Sequence, residues 1–294
     1  MMPLEDITAY LSGIELVFAL FGVGIALGLL TGLFGVGGGF AIVPLLKVVF
    51  GIDDSLAVGS SLSFMVGTSA AGFARHLKLG NAHRRAVLCL ASGSIVGVMG
   101  GHAFHEWLRD SLSGGDADKF KTTMNLLFIA LLLATAFIVR KGRPENNSRL
   151  APLQRMRIGP FMSLPRYEIP RISIPGMLLT GLVIGVLTGT LGVGGGVLLV
   201  PLLITVVGMS MHQAIATSLG VVFFAACAGA IRYGLDDKVS LWIAISLLTG
   251  SVIGVRIGVS LCQRLNAQRL QKYFALLVLT VAAMLTIDLI IRYF

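Results

Sequence analysis

Charge is what this sequence has least of. Asp, Glu, Lys and Arg together supply 13% of its 294 residues, against 55% hydrophobic ones, and the mean hydropathy is +0.89. A soluble domain carries about 25% charge, so this chain has too little polar surface to keep its apolar residues in water. Between Ile172 and Ile231 none of the four charged types occurs. At about 20 residues per crossing of a ~30 Å hydrocarbon core, that run is long enough to cross twice as helix. A soluble enzyme and a disordered tail are excluded. Cysteine is also scarce. Cys89, Cys227 and Cys262 lie in apolar segments without metal-ligand spacing, which excludes a secreted disulfide scaffold and makes them small buried hydrophobes. No Asp or Glu falls in the middle of an apolar segment. Carboxylates are how carriers hold cations, so their absence argues against a cation substrate. Nucleophile–base and metal constellations are missing there too, so no enzyme is expected, nor any cofactor.

The net charge is nonetheless +9. The basic residues sit in loops rather than on one amphipathic face, which points to cytoplasmic loops and not to nucleic acid. The start, Met1 to Asp6, has no basic n-region, so no cleavable signal peptide is expected.

The chain repeats itself. Gly28 to Leu46 reads GLLTGLFGVGGGFAIVPLL and Gly185 to Leu203 reads GVLTGTLGVGGGVLLVPLL, with 13 of 19 positions identical. The offset of 157 also pairs Ser61 with Ser218, Gly72 with Gly229, and Gly93, Gly97 and Gly101 with Gly250, Gly254 and Gly258. The expected organisation is a first transmembrane repeat over 1–139, a basic cytoplasmic linker over 140–172 and a second repeat over 173–294. The linker holds eight arginines and lysines with five prolines, and reads as an irregular stretch lying on anionic lipid headgroups.

Uncharged runs predict helices near 14–34, 38–50, 55–74, 86–108 and 121–139, then 174–191, 195–207, 212–231, 239–261 and 272–291. The first two cannot be one crossing, because 37 helical residues would measure about 55 Å. The glycines between them must break and reverse the chain. The second arm, about 20 Å long, spans fully or re-enters. The expected fold class is an all-α membrane protein of about ten transmembrane or re-entrant helices. An odd number of segments per half makes them two inverted five-segment repeats. With the N-terminus outside, inner loops hold 15 basic residues and outer loops 7. This predicts a multi-pass membrane protein with both termini on the outer side.

Gly35, Gly37, Gly38 and Gly39, and Gly192, Gly194, Gly195 and Gly196, each precede an apolar helix with a proline (Pro44, Pro201) some five residues in. Bare N–H groups at a helix start, with the positive end of the macrodipole, form an anion site. In lipid such groups must face protein, water or ligand. Two breaks related by inversion are expected to converge near the midplane. Tight helix crossing is the other use of such glycines. A dinucleotide fingerprint fails because Phe40 and Val197 take the last glycine position, and a P-loop fails because no Lys-Ser/Thr follows.

FGVGGG, three residues, then VPLL in one half, and LGVGGG with the same continuation in the other, resemble the sulfite exporter TauE/SafE family of bacterial membrane permeases. The resemblance covers nearly the whole chain. It implies export of a small sulfur-containing anion, sulfite or an organosulfonate, with the two glycine loops as the implicated positions. The alternatives are an anion channel or a carrier for another small anion such as a carboxylate. With no nucleotide motif in the chain, energy must come from a coupling ion, the membrane potential or a separate partner. Rocking of the halves is the expected route to alternating access.

Other positions are weaker candidates. Arg256, whose repeat partner is Met99, either faces the bundle as a counter-charge or snorkels to headgroups. Ser61 and Ser218, with Ser60, Ser63 and Thr217, offer hydroxyls to an oxyanion or bond their own helix. Thr31 and Thr188 flank the breaks and could cap them. His102, His105 and Glu106 end the fourth segment, where interfacial solvation is expected and a proton relay is the alternative. His212 is expected to cap a helix start, and Asp288 to be interfacial.

Overall fold

The computed structural model describes residues 13–48, 51–112, 117–140, 151–155, 158–164, 169–191 and 195–293. The first half contains α1 (Gly13–Phe34), α2 (Gly39–Val48), α3 (Asp54–Lys78), α4 (Arg84–Leu112) and α5 (Ala117–Arg140). The second contains α6 (Ile174–Leu191), α7 (Gly196–Leu202, continued by a wide π turn over Leu203–Val207), α8 (Met211–Leu235), α9 (Leu241–Arg264) and α10 (Ala267–Tyr293). Among the described residues, seven helices are long and apolar enough to cross a membrane: α3, α4, α5, α6, α8, α9 and α10. The apolar stretches Phe18–Phe34 and Gly196–Val207 are shorter.

Each helix outruns its charge-free core by a few residues. Arg75 and Lys78 occupy the last turn of α3, where cations meet the negative end of the helix dipole. Asp53 caps the start of α3 by accepting from the Ser55 N–H at 3.1 Å. Ser210 caps α8 in a reciprocal box with Gln213. Capping therefore falls to Ser210, and His212 instead donates from Nε2 to the Cys262 carbonyl at 3.0 Å.

The two sequence halves are interlaced. The first helix of each half lies along the fourth helix of the other, α1 on α9 and α6 on α4. Glycines every fourth residue make both seams. A β-carbon on Gly28 would stand 2.3 Å from the Ser251 carbonyl oxygen, and one on Gly254 would stand 2.0 Å from that of Ile25. In the other seam, Gly185 meets the Ser94 carbonyl oxygen at 2.1 Å and Gly97 that of Leu182 at 2.2 Å. Lipid supplies no hydrophobic force between helices, so backbone approach through small residues is what binds them. The centre is α3 crossing α8 antiparallel: Gly59 meets the Lys238 carbonyl at one end, and Gly72 meets Leu219 toward the other.

Two ends of the bundle follow from these pairings. Arg75 at the end of α3 donates to Ser260 near the end of α9 at 3.0 Å, and the start of α8 is there too. Gln154 of the linker donates to the Val207 carbonyl at 2.9 Å on that same end, hereafter the linker side. The start of α3 and the end of α8 form the far side, where Ser60 Oγ accepts from the Ser240 N–H at 2.9 Å.

The linker corrects the expectation of an irregular stretch. It contains a helical turn, Pro152–Arg155, and a two-stranded antiparallel sheet, β1 (Phe161–Leu164) paired with β2 (Ile169–Ser173), a small addition to an otherwise all-α membrane protein. Ala151, Leu153 and Ile172 are buried, and the Arg171 guanidinium lies 3.5 Å over the Phe161 ring. These apolar anchors seat the linker on the bundle end, which basic composition alone does not reveal.

Candidate functional site

Two hairpin tips meet inside the bundle. α1 stops at Phe34, and the chain turns through Gly35, Gly37 and Gly38, all with positive φ, before α2 begins at Gly39. α2 is only about 15 Å long by its ten residues. It runs back to the far side, where Lys47 pairs with Asp54 and donates to Asn125 Oδ1 at 2.8 Å. α1 and α2 thus both leave the tip toward the far side. The second hairpin turns at Gly195, φ +64°, and α7 runs from there toward the linker side. Gly192 and Gly194 lie outside the described residues. Gly196 sits directly on the first break: a β-carbon there would lie 2.5 Å from the Val36 Cα and 2.8 Å from its carbonyl oxygen.

The first break is held by hydroxyls from the two central helices. Ser218 Oγ of α8 donates to the Gly35 carbonyl at 2.7 Å, with the Ile215 carbonyl its alternative acceptor at 2.8 Å. Thr68 Oγ1 of α3 lies 3.3 Å from the Gly37 carbonyl, with the Phe64 and Met65 carbonyls of its own helix as alternative acceptors at 3.2 Å. These bonds satisfy carbonyls and leave the amides. Among the described residues, the N–H groups of Val36, Gly37, Gly38, Gly39 and Phe40 find no acceptor. All five residues are buried, so unpaired donors there are costly unless a ligand or water meets them.

The repeat offset holds in local detail. Thr31 bonds the Leu27 carbonyl at 2.8 Å and Thr188 that of Ile184 at 2.9 Å. A β-carbon on Gly38 would meet Thr31 Oγ1 at 2.9 Å, and one on Gly195 would meet Thr188 Oγ1 at 2.6 Å. Both threonines therefore bond their own helix instead of capping the break. Ser61 donates to the Val58 carbonyl at 2.8 Å and Ser63 to that of Gly59 at 3.1 Å. Thr217 Oγ1 is buried without a partner among the described residues.

Arg256 is not brought to the breaks. It is exposed on the outer face of α9, opposite the glycine face that meets α1. His102 and His105 also depart from expectation. They are 2% and 1% exposed, because α4 turns that face toward α3, α6 and α8 rather than to an interface. The side chain of Asp288 lies outside the described residues. Thr68 escaped the sequence reading because its repeat partner is Ala225, so the offset gave no signal.

A cleft lined by Val200, Pro201, Thr205, Met211, Gln271 and Phe274 lies beside α7.

Comparison with known proteins finds a family match and several relatives. The family model described as sulfite exporter TauE/SafE matches residues 20–285. The chain is 30% identical over 267 residues to the probable membrane transporter protein YjnA of Bacillus subtilis (strain 168), covering 87% of this chain and 94% of that one. A probable membrane transporter protein of Methanocaldococcus jannaschii is 25% identical over 264 residues, covering 85% and 87%. One of Haemophilus influenzae is 26% identical over 281 residues, covering 88% and 94%. No solved structure matches the chain.

Proposed function

The chain belongs to the sulfite exporter TauE/SafE family and is a multi-pass membrane transporter; on that premise we propose that it exports a small sulfur-containing anion, sulfite or an organosulfonate, bound where its two glycine breaks meet. The observation that carries this is Gly196 seated on Val36, beside five buried N–H groups without acceptors among the described residues. Backbone donors suit a sulfonate or sulfite oxygen, since three oxygens sharing negative charge accept from several N–H groups at once. A stripped cation finds no carboxylate among them.

In this reading the ten helices form two inverted five-segment repeats whose re-entrant tips, Gly35–Gly39 and Gly192–Gly196, build one midplane site. Ser218 and Ser61 act as positioning residues. The Ser218 bond to the Gly35 carbonyl turns that peptide so that the following amides face the anion. Arg256 is left to the lipid interface. Because α1 packs on α9 and α6 on α4, the bodies that rock are not the sequence halves. One body takes α1, α3 and α9, the other α6, α8 and α4, and the site lies at their contact. The burial of the whole first break supports a carrier over an open channel.

Purified protein in liposomes, offered sulfite, thiosulfate, sulfoacetate and short carboxylates, tests this. The expected result is saturable flux and counterflow with a sulfur oxyanion. Flux confined to carboxylates would replace the substrate, and non-saturating flux without counterflow would replace the carrier with a channel.

A further inference from the structure

Two buried rings hold the end of α6, next to the second tip. Carbonyls in the last turn of a helix have no partner within it, and a buried one needs a donor from elsewhere. Tyr233 of α8 donates its hydroxyl to the Gly189 carbonyl at 2.9 Å, and His105 of α4 donates from Nδ1 to the Thr190 carbonyl at 2.8 Å. Both rings are buried, and each is itself packed in place. His102 stands edge-on to Tyr233 with ring centroids 4.6 Å apart, and Phe120 of α5 stands edge-on to His105 at 5.4 Å. That packing leaves each donor aimed at one carbonyl. The offset of 157 pairs Tyr233 with His76 and His105 with Cys262, so the repeat gives no sign of this pair.

His105 is also one step in a chain. A carbonyl can only accept, so Nδ1 carries the proton, and Nε2 accepts from Ser55 Oγ of α3 at 3.3 Å. Ser55 in turn accepts from Arg109 at 3.2 Å. Bonds that donate in one direction strengthen one another, which firms the hold on Thr190. Three other far-side cations among the described residues are engaged by carboxylates, Lys47 by Asp54, Arg232 by Asp236 and Lys238 by Glu106, so the hold on α6 comes from these hydrogen bonds and not from an ion pair. What the rings hold is the seat of the second tip. Gly195 lies against α6, where a β-carbon on it would stand 2.4 Å from Ile184 Cγ2 and 2.6 Å from Thr188 Oγ1, and Gly196 lies on Val36 of the first break.

We propose that Tyr233 and His105 are positioning residues of the anion site. Neither touches the anion. Together they fix the end of α6, so that Gly195 and Gly196 stay seated on the first break and its bare amides keep their arrangement. The bonds to Gly189 and Thr190 join α8 and α4 to α6, all three in one of the two rocking bodies, so they persist while the bodies move. Their loss therefore weakens anion binding without slowing the alternation itself. This inference deepens the reading of the breaks as the anion site and rests on it.

Three variants of the full chain test it. Tyr233→Phe and His105→Phe keep a ring and lose the donor, whereas His105→Asn keeps an N–H donor in the place of Nδ1. In sulfite and sulfoacetate counterflow in liposomes, the half-saturation concentration is expected to rise about fivefold or more in the two Phe variants. Maximal flux should stay within about twofold of the parent, and His105→Asn should keep the parental half-saturation. Amide hydrogen exchange of the same proteins without any anion should quicken at the end of α6 and the second tip, and not in α3. A fall in maximal flux at unchanged half-saturation, an Asn variant as impaired as the Phe variant, or exchange that quickens throughout the bundle would overturn the proposal. If neither anion moved even in the parent, the substrate reading would fall, and the exchange pattern would still decide whether these rings position the tip.

Discussion

Gly196 lies against Val36, so close that a single added methyl would stand 2.5 Å from the Val36 Cα. Two segments 160 positions apart in the chain thereby share one buried surface, and the neighbour at risk is backbone, which cannot rotate away.

Gly196→Ala is expected to separate the tips and reduce transport more than tenfold while the protein still inserts. Gly100→Ala is the control, since a β-carbon on Gly100 meets nothing within 4 Å. Sulfite or sulfoacetate counterflow in liposomes measures both. Equal flux in the two variants would remove the tip contact from the mechanism.

Gly38→Ala and Gly195→Ala are expected to lose stability as well as transport. Both residues have positive φ, which costs a side-chain-bearing residue about 1–2 kcal/mol. Gly195 is the tighter, with Ile184 Cγ2 at 2.4 Å, so its variant should show the lower thermal midpoint in detergent. The opposite order would mean that the second tip relaxes more easily than the first.

Ser218→Ala removes the donor to the Gly35 carbonyl and leaves a buried acceptor to cost about 1–3 kcal/mol. The predicted signature is weaker anion affinity, read as a raised half-saturation concentration, with wild-type expression. Thr68→Val should act in the same direction and less, its bond to Gly37 being longer at 3.3 Å. Unchanged half-saturation in both variants would contradict a positioning role.

The glycine seams carry a prediction about assembly. Gly254→Ala and Gly185→Ala each press a methyl toward a facing carbonyl oxygen, that of Ile25 at 2.0 Å or Ser94 at 2.1 Å. Overpacking of this kind costs about 1–3 kcal/mol. Both should lower the thermal midpoint by similar amounts, because the seams are related by the repeat. A drop in one alone would show that the seams differ in strength.

Arg256→Gln is expected to leave anion affinity unchanged, since the side chain is exposed to the surroundings of α9. Titration of flux against sulfite concentration checks it, and a several-fold loss of affinity would return Arg256 to the site.

Much of this was readable in the residue order. Charge-free runs located the helices of both halves to within a few residues, seven of them long and apolar enough to cross a membrane among the described residues, because each unpaired charge in hydrocarbon is expensive. The glycine triplets located the breaks, because no other residue tolerates those turns with Pro44 and Pro201 following. The facing of each helix was not readable. In water an apolar stripe tells the buried side from the exposed one. In lipid both sides are apolar, so α9 gives no sign that Arg256 points outward, and α4 gives none that His102 and His105 point inward.

The sequence alone therefore decided what lies in the membrane, where the chain must bend, and that the two halves derive from one pattern. Those properties follow from the cost of charge and of unpaired backbone in hydrocarbon, which each segment meets by itself. The tertiary structure decided which helix lies on which. Glycine stripes permit close approach without naming a partner, so the crosswise packing of α1 on α9 and α6 on α4, and with it the seat of Gly196 on Val36, exists only once all the helices have assembled.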